Sequence, residues 1–226
     1  MDDSPYDLHS VLDRIGPRRR TGDGPLGNPY FDLWTEQHGA DRDEVRERRA
    51  RAALIGIFAC AVPSDEAIRA IVRHNPHGVL EIGAGTGYWA RLLTDAGMAV
   101  RAADDCPHGC RCGGVWCGKP VQWMDVERGG VEIAGSGPDR SLMLCWPPLS
   151  SSMATVALLR HHAAGGARVI YIGEWRGRTA DFIFHDLLEQ LYEKVVDLPL
   201  PRWSPYQDSL MVFERSRGGR RSRSRP

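Results

Sequence analysis

Short apolar runs alternate with amphipathic segments along most of the chain. Short runs of aliphatic and β-branched residues between turn signals predict buried strands, and apolar residues spaced three and four apart predict helices. The predicted strands cover 79–82, 98–104, a short stretch near 121–124, 141–146, 168–173, 194–198 and 209–214. The predicted helices cover 43–61, a segment that Ser64 caps, 88–97, 152–163 and 179–192. This alternation is typical of a mostly parallel sheet with helices on its faces.

The two ends of the chain lack this pattern. Residues 1–27 hold Gly-Pro pairs and three consecutive arginines with little periodic apolar content, which predicts a disordered arm. Residues 216–226 carry five arginines and nothing to bury, which predicts a disordered tail. Between them we expect a single domain over 28–215, with a helical cap over about 28–75 that includes the aromatic segment 28–34.

Charge and hydropathy exclude some classes of partner. Lys plus Arg and Asp plus Glu both number 29, so no overall field favours nucleic acid or an anionic membrane. No apolar run approaches the ~20 residues of a membrane-spanning helix, and the acidic start has no signal-peptide pattern. We therefore expect a cytoplasmic protein without a membrane partner, whose oligomeric state the sequence leaves open.

Four of the six cysteines are bunched in one glycine-rich loop, at Cys106, Cys110, Cys112 and Cys117. Structural zinc sites join two separated Cys-x2–4-Cys pairs, whereas these thiols are crowded into one short segment. A loop with incidental thiols is the favoured interpretation and a metal site the alternative, so no metal ligand is assigned.

Residues 79–89 combine a buried strand, a glycine-rich turn and the start of a helix. Gly83, Gly85 and Gly87 stand at alternate positions, where the missing Cβ atoms let a ligand lie against the main chain and the helix N-terminus. The glycine motif that binds nicotinamide dinucleotides requires a small residue at the position of Tyr88. The bulky Tyr88 therefore disfavours a nicotinamide cofactor. Glycine turns of this kind also occur without a ligand, and that alternative stays open.

The segment Glu81–Gly87 resembles motif I of the class I S-adenosylmethionine-dependent methyltransferases. The resemblance covers roughly residues 64–215 and implies a Rossmann-like α/β fold: a mostly parallel seven-stranded sheet with flanking helices, extra N-terminal helices and a closing hairpin that adds one antiparallel strand. It implies S-adenosylmethionine as the cofactor, with Glu81 near its methionine amino group. The glycines, Ala84 and Tyr88 would face it. Together with Asn28–Tyr30, Ala61–Ser64, Trp146–Pro148 and Tyr171–Glu174, the motif is similar to a group of bacterial methyltransferase-like proteins of unknown acceptor.

Two further carboxylates are candidates for cofactor binding. Asp104 ends the next predicted strand about 20 residues on, the spacing at which an acid meets ribose hydroxyls, with Asp105 as its rival. The resemblance places Asp125 near the adenine.

The strand that ends near Cys145 is followed by Trp146-Pro147-Pro148, which resembles part of motif IV of amino-directed methyltransferases. In that motif an amide or acid accepts a hydrogen bond from the target amine, but the Trp146 indole only donates. Trp146 is therefore interpreted as an aromatic wall for the acceptor or a cation–π partner of the sulfonium, with a core position as the alternative. The prolines should leave backbone carbonyls exposed toward a bound group.

Glu174 and Asp181 are the remaining catalytic candidates. Glu174 follows the fifth predicted strand, where a carboxylate can bind substrate or act as a base. Asp181 lies near the start of the next helix, where an acid also complements the helix dipole. His161, His162 and His185 are interpreted as structural, and the segment 201–208 as a turn able to recognise substrate.

These features predict a methyltransferase that acts on oxygen or nitrogen of a small molecule. Because the sulfonium donor is already activated, the protein must mainly align the reactants and exclude water. A non-catalytic module that binds a cofactor or a partner is the first alternative, since the motif IV amide is missing. An enzyme directed to RNA by the arginine tail is the second.

Overall fold

The structure is a computed structural model that describes residues 8–15, 27–38, 44–107 and 121–216 of the 226-residue chain. Its helices are α1 (Leu8–Ile15), α2 (Pro29–His38), α3 (Glu44–Ile57), α4 (Asp65–His74), α5 (Tyr88–Asp95), α6 (Met153–Ala163) and α7 (Phe182–Leu191). Its strands are β1 (Val79–Ile82), β2 (Val100–Asp104), β3 (Glu127–Arg128), β4 (Ser141–Cys145), β5 (Arg168–Gly173), β6 (Tyr192–Pro199) and β7 (Ser209–Arg215). A short 3₁₀ turn covers Val131–Ile133.

The seven described strands form one sheet in the order β3-β2-β1-β4-β5-β7-β6. Strands β1 to β5 pair in parallel, while β7 runs antiparallel to both β5 and β6. All four residues of β1 are buried, as expected of a central strand covered on both faces. The predicted fold class is therefore confirmed, including the closing hairpin.

Two apolar clusters cover the two faces of this sheet. One joins the N-terminal helices and α5 to residues such as Val79 and Met143, and the other packs α6 and α7 against residues such as Leu80 and Leu144. The helices leave the carboxyl ends of the parallel strands as the place where polar residues from different elements meet.

The aromatic segment at 28–34 belongs to the first cluster. The ring of Tyr30 has no exposed surface and stacks on Phe58 with 4.9 Å between ring centroids. Ser64 caps α4, its hydroxyl accepting a hydrogen bond from the N–H of Ala67. The cap agrees with the helix start predicted at Ser64.

Two predictions about elements are wrong. Part of the arm predicted to be disordered forms α1, because Val11, Leu12 and Ile15 make an apolar stripe at helical spacing, and Val11 is fully buried. The strand expected near 121–124 is found instead at β3, since Trp123 is held by side-chain and backbone hydrogen bonds to Ile57 and Thr86. The arginine tail from 217 lies outside the described residues.

Candidate functional site

The turn between β1 and α5 brings the glycines of the motif together in left-handed backbone conformations. Gly83, Gly85 and Gly87 have φ of 77°, 57° and 73°, which disfavour any residue with a Cβ. The N–H groups of Gly83 and Ala84 donate to the carbonyl of Ala103, at 2.9 and 3.0 Å, and so fix the turn against β2. The result is a rigid stretch of main chain at the carboxyl edge of the sheet.

Asp104, the last residue of β2, is bonded to this turn. Its Oδ2 accepts from the N–H of Gly85 at 2.8 Å, and its Oδ1 accepts from the N–H of Cys106 at 2.8 Å. The side chain is buried, while Asp105 is exposed, and burial together with Asp104 raises the pKa of Asp105. A carboxylate has about four lone-pair sites, so Asp104 retains acceptor capacity for hydroxyl donors. The geometry therefore favours Asp104 over Asp105.

Glu81 is a carboxyl group inside the central strand. It is only 2% exposed, and its Oε2 has no hydrogen-bond partner among the described residues. Burial, aided by the charge of Asp104 and opposed by the N–H of Ala90, raises its pKa to about 8. Burying an unpaired charge is costly, so an acid here calls for a cationic or hydrogen-bonding ligand.

Tyr88 does not face a cofactor with its side chain, contrary to the resemblance. Its ring is fully buried against Phe58 and Trp123, and its hydroxyl donates to Oδ1 of Asn28 at 3.0 Å. These contacts of Tyr88 with Asn28, Phe58 and Trp123 fix the start of α5. Only the backbone of Tyr88 belongs to the glycine turn.

Asp125 is not at the carboxyl edge. It precedes β3, and the parallel pairing of Ala103 with Glu127 places it level with Arg101, near the start of β2. Its exposed side chain lines an open groove at the outer side of the sheet with Val100 and Arg101. The expected contact between Asp125 and adenine is therefore at odds with the structure.

Trp146 follows β4 in a left-handed conformation, with φ of 54°. Its indole Nε1 donates to Oδ1 of Asp208 at 2.7 Å, and its ring meets the ring of Tyr206 edge-on at 5.3 Å between centroids. It is half-buried, so it forms part of the edge rather than of the deep core. The carbonyl of Pro147 is not free for a ligand, because it accepts from the N–H of Ala180 at 2.8 Å.

Glu174 joins two loops instead of presenting a free carboxylate. Its Oε2 accepts from the N–H of Arg178 at 3.0 Å, and its Oε1 accepts from the N–H of Gln207 at 2.8 Å. The residue is 7% exposed. These bonds give Glu174 a positioning role for the β6–β7 loop, and its expected role as the base is at odds with them.

Asp181 is the N-cap of α7. Its Oδ1 accepts from the N–H of Phe184 at 3.1 Å and from the hydroxyl of Thr155 at 2.6 Å. The alternative considered from the sequence, an acid that serves the helix start, is therefore the one that the structure supports. The histidines agree with their structural interpretation, His161 bonding the carbonyl of Arg168 and His185 that of Thr179.

Asp208 and Arg51 are site residues that the sequence did not single out. Asp208 is 2% exposed; burial raises its pKa to about 6 against the lowering effect of the Trp146 bond, and Glu174 raises it further. Arg51, on α3, lies over the ring of Tyr206 at 4.0 Å. Burial raises the pKa of the Cys145 thiol, and the charges of Glu81 and Asp208 raise it further. The thiol therefore interacts electrostatically with carboxylates at both ends of this edge.

The cysteine loop lies largely outside the described residues, which include Cys106 but not Cys110, Cys112 or Cys117. Within the described ranges no cluster of His, Cys, Asp and Glu is arranged to hold a metal ion. Over the same ranges no helix combines the length and apolarity needed to cross a membrane.

No protein-family model and no curated protein matches the chain. Among solved structures, the magnesium protoporphyrin IX methyltransferase of Synechocystis with bound S-adenosylmethionine matches over 88% of this chain and 97% of its own, at 14% identity and a TM-score of 0.49. The 1,6-didemethyltoxoflavin-N1-methyltransferase of Burkholderia thailandensis, with bound 1,6-didemethyltoxoflavin and S-adenosylhomocysteine, matches over 68% and 78%, at 17% identity and 0.47. Human N-acetylserotonin methyltransferase with S-adenosylmethionine matches over 96% and 73%, at 12% identity and 0.45.

The strand arrangement decides the fold. Five parallel strands, with an antiparallel β7 inserted between β5 and β6, carry the glycine turn after β1 and the acid at the end of β2. The chain has the class I methyltransferase fold. In this fold the candidate site runs along one edge, from Asp104 and Glu81 at β2 and β1 to Trp146 and Asp208 beside β4 and β5.

Proposed function

We propose that this chain is a methyltransferase that binds S-adenosylmethionine across the carboxyl ends of β1 and β2 and methylates oxygen or nitrogen of a small molecule. The observation that carries the proposal is the buried Oε2 of Glu81, which has no partner among the described residues and lies beside a rigid glycine turn. The α-ammonium of the cofactor is a cation that would pair with it.

The residues at the carboxyl ends of β1 and β2, here called the cofactor half, match the polar groups of S-adenosylmethionine. Asp104 is oriented by the N–H of Gly85 and retains lone pairs for two ribose hydroxyls. Gly83 must lack a side chain, because its φ is positive and a Cβ there would lie 2.8 Å from Cε of Met153. The missing side chains thus leave backbone as the surface that meets the ligand.

The acceptor half lies beside β4 and β5. When bound, S-adenosylmethionine would supply an activated methyl group: the acceptor's lone pair would form the new C–O or C–N bond, and the electron pair of the broken C–S bond would stay on sulfur. We assign Asp208 as the group that takes the acceptor's proton. Its Oδ1 is fixed by Trp146, its Oδ2 has no hydrogen bond to a described residue, and a pKa of about 6 leaves it ionised at neutral pH.

Asp208 also bears on the non-catalytic alternative, which was motivated by the missing amide or acid in motif IV. A carboxylate from the β6–β7 loop now stands beside Trp146, 62 residues further along the chain. The carboxyl edge of the sheet therefore has a hydrogen-bond acceptor of the kind that the Trp146-Pro147-Pro148 motif lacks. This observation supports an enzyme over a binding module.

The test is calorimetric titration with S-adenosylmethionine and S-adenosylhomocysteine. We expect micromolar binding, about −8 kcal/mol, that weakens at least about tenfold in Asp104→Asn and Glu81→Gln. Asp186→Asn is the control, since this exposed carboxylate on α7 pairs with Arg176, away from the edge. Absence of binding to the folded wild type, or equal binding by all variants, would contradict the proposal.

A further inference from the structure

Arg51 is a cation in the acceptor half with an unsatisfied hydrogen-bond donor among the described residues. Its Nε is buried and has no partner among the described residues. Its guanidinium instead lies over two rings, 4.0 Å from the centroid of Tyr206 and 5.3 Å from that of Trp146. Such stacking holds the guanidinium plane and leaves its N–H edge available. Leaving a buried donor without an acceptor is costly, which indicates that a ligand completes it.

The two nearby carboxylates do not satisfy this arginine. Glu174 accepts from the backbone N–H groups of Arg178 and Gln207, and Asp208 accepts from the indole of Trp146. Neither makes an ion pair with Arg51 within the described residues.

A second guanidinium lies at the same aromatic ring. Arg178, which is exposed, lies 5.2 Å from the centroid of Tyr206. An approaching ligand therefore meets two guanidinium groups at one ring, and guanidinium groups pair with carboxylates.

The position of Arg51 separates it from the cofactor half. Its charge acts on Asp208 and Tyr30, whereas Glu81 is influenced by Asp104 and Ala90. Its ring contacts are with residues that follow β4 and precede β7, not with the glycine turn after β1. An anion bound by Arg51 would thus belong to the acceptor.

We propose that Arg51 recognises a carboxylate on a planar aromatic acceptor, so that the substrates of this enzyme are aromatic acids. The inference rests on the proposed function. The guanidinium fork matches a carboxylate in a bidentate pair, and Trp146 and Tyr206 supply aromatic surface for the attached ring. Asp208, hydrogen-bonded to the same tryptophan, then stands near the group to be methylated.

The test compares aromatic acids with their neutral amides on protein saturated with S-adenosylhomocysteine. The probes are 4-hydroxybenzoate, 3,4-dihydroxybenzoate and indole-3-carboxylate, each beside its carboxamide, titrated by calorimetry. We expect at least one acid to bind about tenfold or more tighter than its amide. Arg51→Gln should abolish that preference, Arg51→Lys should retain part of it, and Arg73→Gln, at an exposed position on α4, should leave it intact.

The affinity for S-adenosylhomocysteine separates the ways in which this can fail. If the wild type does not bind it, the proposed function fails. If the wild type binds it and every acid binds no better than its amide, the acceptor inference alone is overturned. Loss of S-adenosylhomocysteine affinity in a folded Arg51→Gln variant would assign Arg51 to the cofactor and also overturn the inference. Retained affinity together with a lost acid preference supports it.

Discussion

Under the proposed function, we expect Glu81 to couple cofactor binding to the loss of a proton. In the unliganded protein its pKa of about 8 means that about 90% of the molecules carry a proton on Glu81 at pH 7. An ammonium group placed against Oε2 favours the carboxylate, so binding should release the proton. The expected release is about 0.9 proton at pH 7, falling to about 0.5 at pH 8 as Glu81 ionises on its own.

The affinity for S-adenosylhomocysteine should depend on pH through the ionisation of Glu81. Below the pKa, each pH unit makes ionisation of Glu81 about 1.4 kcal/mol less costly, so binding of S-adenosylhomocysteine should strengthen about tenfold from pH 6 to pH 7. The ligand's own α-ammonium group stays protonated over this interval, because beside a free carboxylate it titrates above the range of a peptide N-terminus.

The assay is titration calorimetry in two buffers of different ionisation enthalpy, which yields the number of protons released. Glu81→Gln serves as the matched variant, since it keeps the shape of the side chain and has no proton to lose. The difference between wild type and variant isolates Glu81 from the titration of the ligand. Equal proton release by the two proteins, or a wild-type affinity that does not change between pH 6 and pH 7, would refute the reasoning.

The remaining predictions concern stability and turnover. Without ligand, Glu81 binds more protons folded than unfolded between about pH 4.5 and pH 8, so the free energy of unfolding should fall with rising pH there; urea unfolding should show a flatter profile for Glu81→Gln. Asp208→Asn should lower kcat by about 10²–10⁴ and remove the rise of activity through pH 6, with S-adenosylhomocysteine affinity unchanged in calorimetry. Gly87→Ala should cost about 1–3 kcal/mol more in urea unfolding than Gly97→Ala, because both have positive φ but only Gly87 has a side-chain atom within 3 Å of the added Cβ. Glu174→Gln should lower stability by about 1–3 kcal/mol and raise KM, while the pH profile of kcat stays that of the wild type; loss of the acidic limb would show instead that Glu174 is the base.

The cofactor half could be predicted from the sequence because its determinants are local. The glycines of the turn need positive φ, and a carboxylate at the end of the next strand must come near them in a parallel sheet. Glu81 also stands out locally, as an acid inside an otherwise aliphatic strand. The prediction that the Tyr88 side chain faces the cofactor is wrong, because its hydroxyl donates to Asn28, which lies 60 residues earlier in the chain.

The acceptor half depends on contacts that no local pattern encodes. Position after a strand correctly placed Glu174 at the edge, but the backbone N–H groups that occupy its oxygens come from loops whose paths are set by tertiary packing. Asp208 was visible only as part of a turn, and its bond to Trp146 joins two segments far apart in sequence. Arg51 is one of several arginines on α3, and only tertiary packing places it over Tyr206.

The most direct test of the account is the crystal structure of the protein with S-adenosylhomocysteine. We expect the α-ammonium group within about 3 Å of Oε2 of Glu81 and the ribose hydroxyls within the same distance of Asp104. The sulfur should then point along the edge toward Trp146 and Asp208. A ligand bound elsewhere, or bound at this edge with the Glu81 oxygen still lacking a partner, would contradict the central claim.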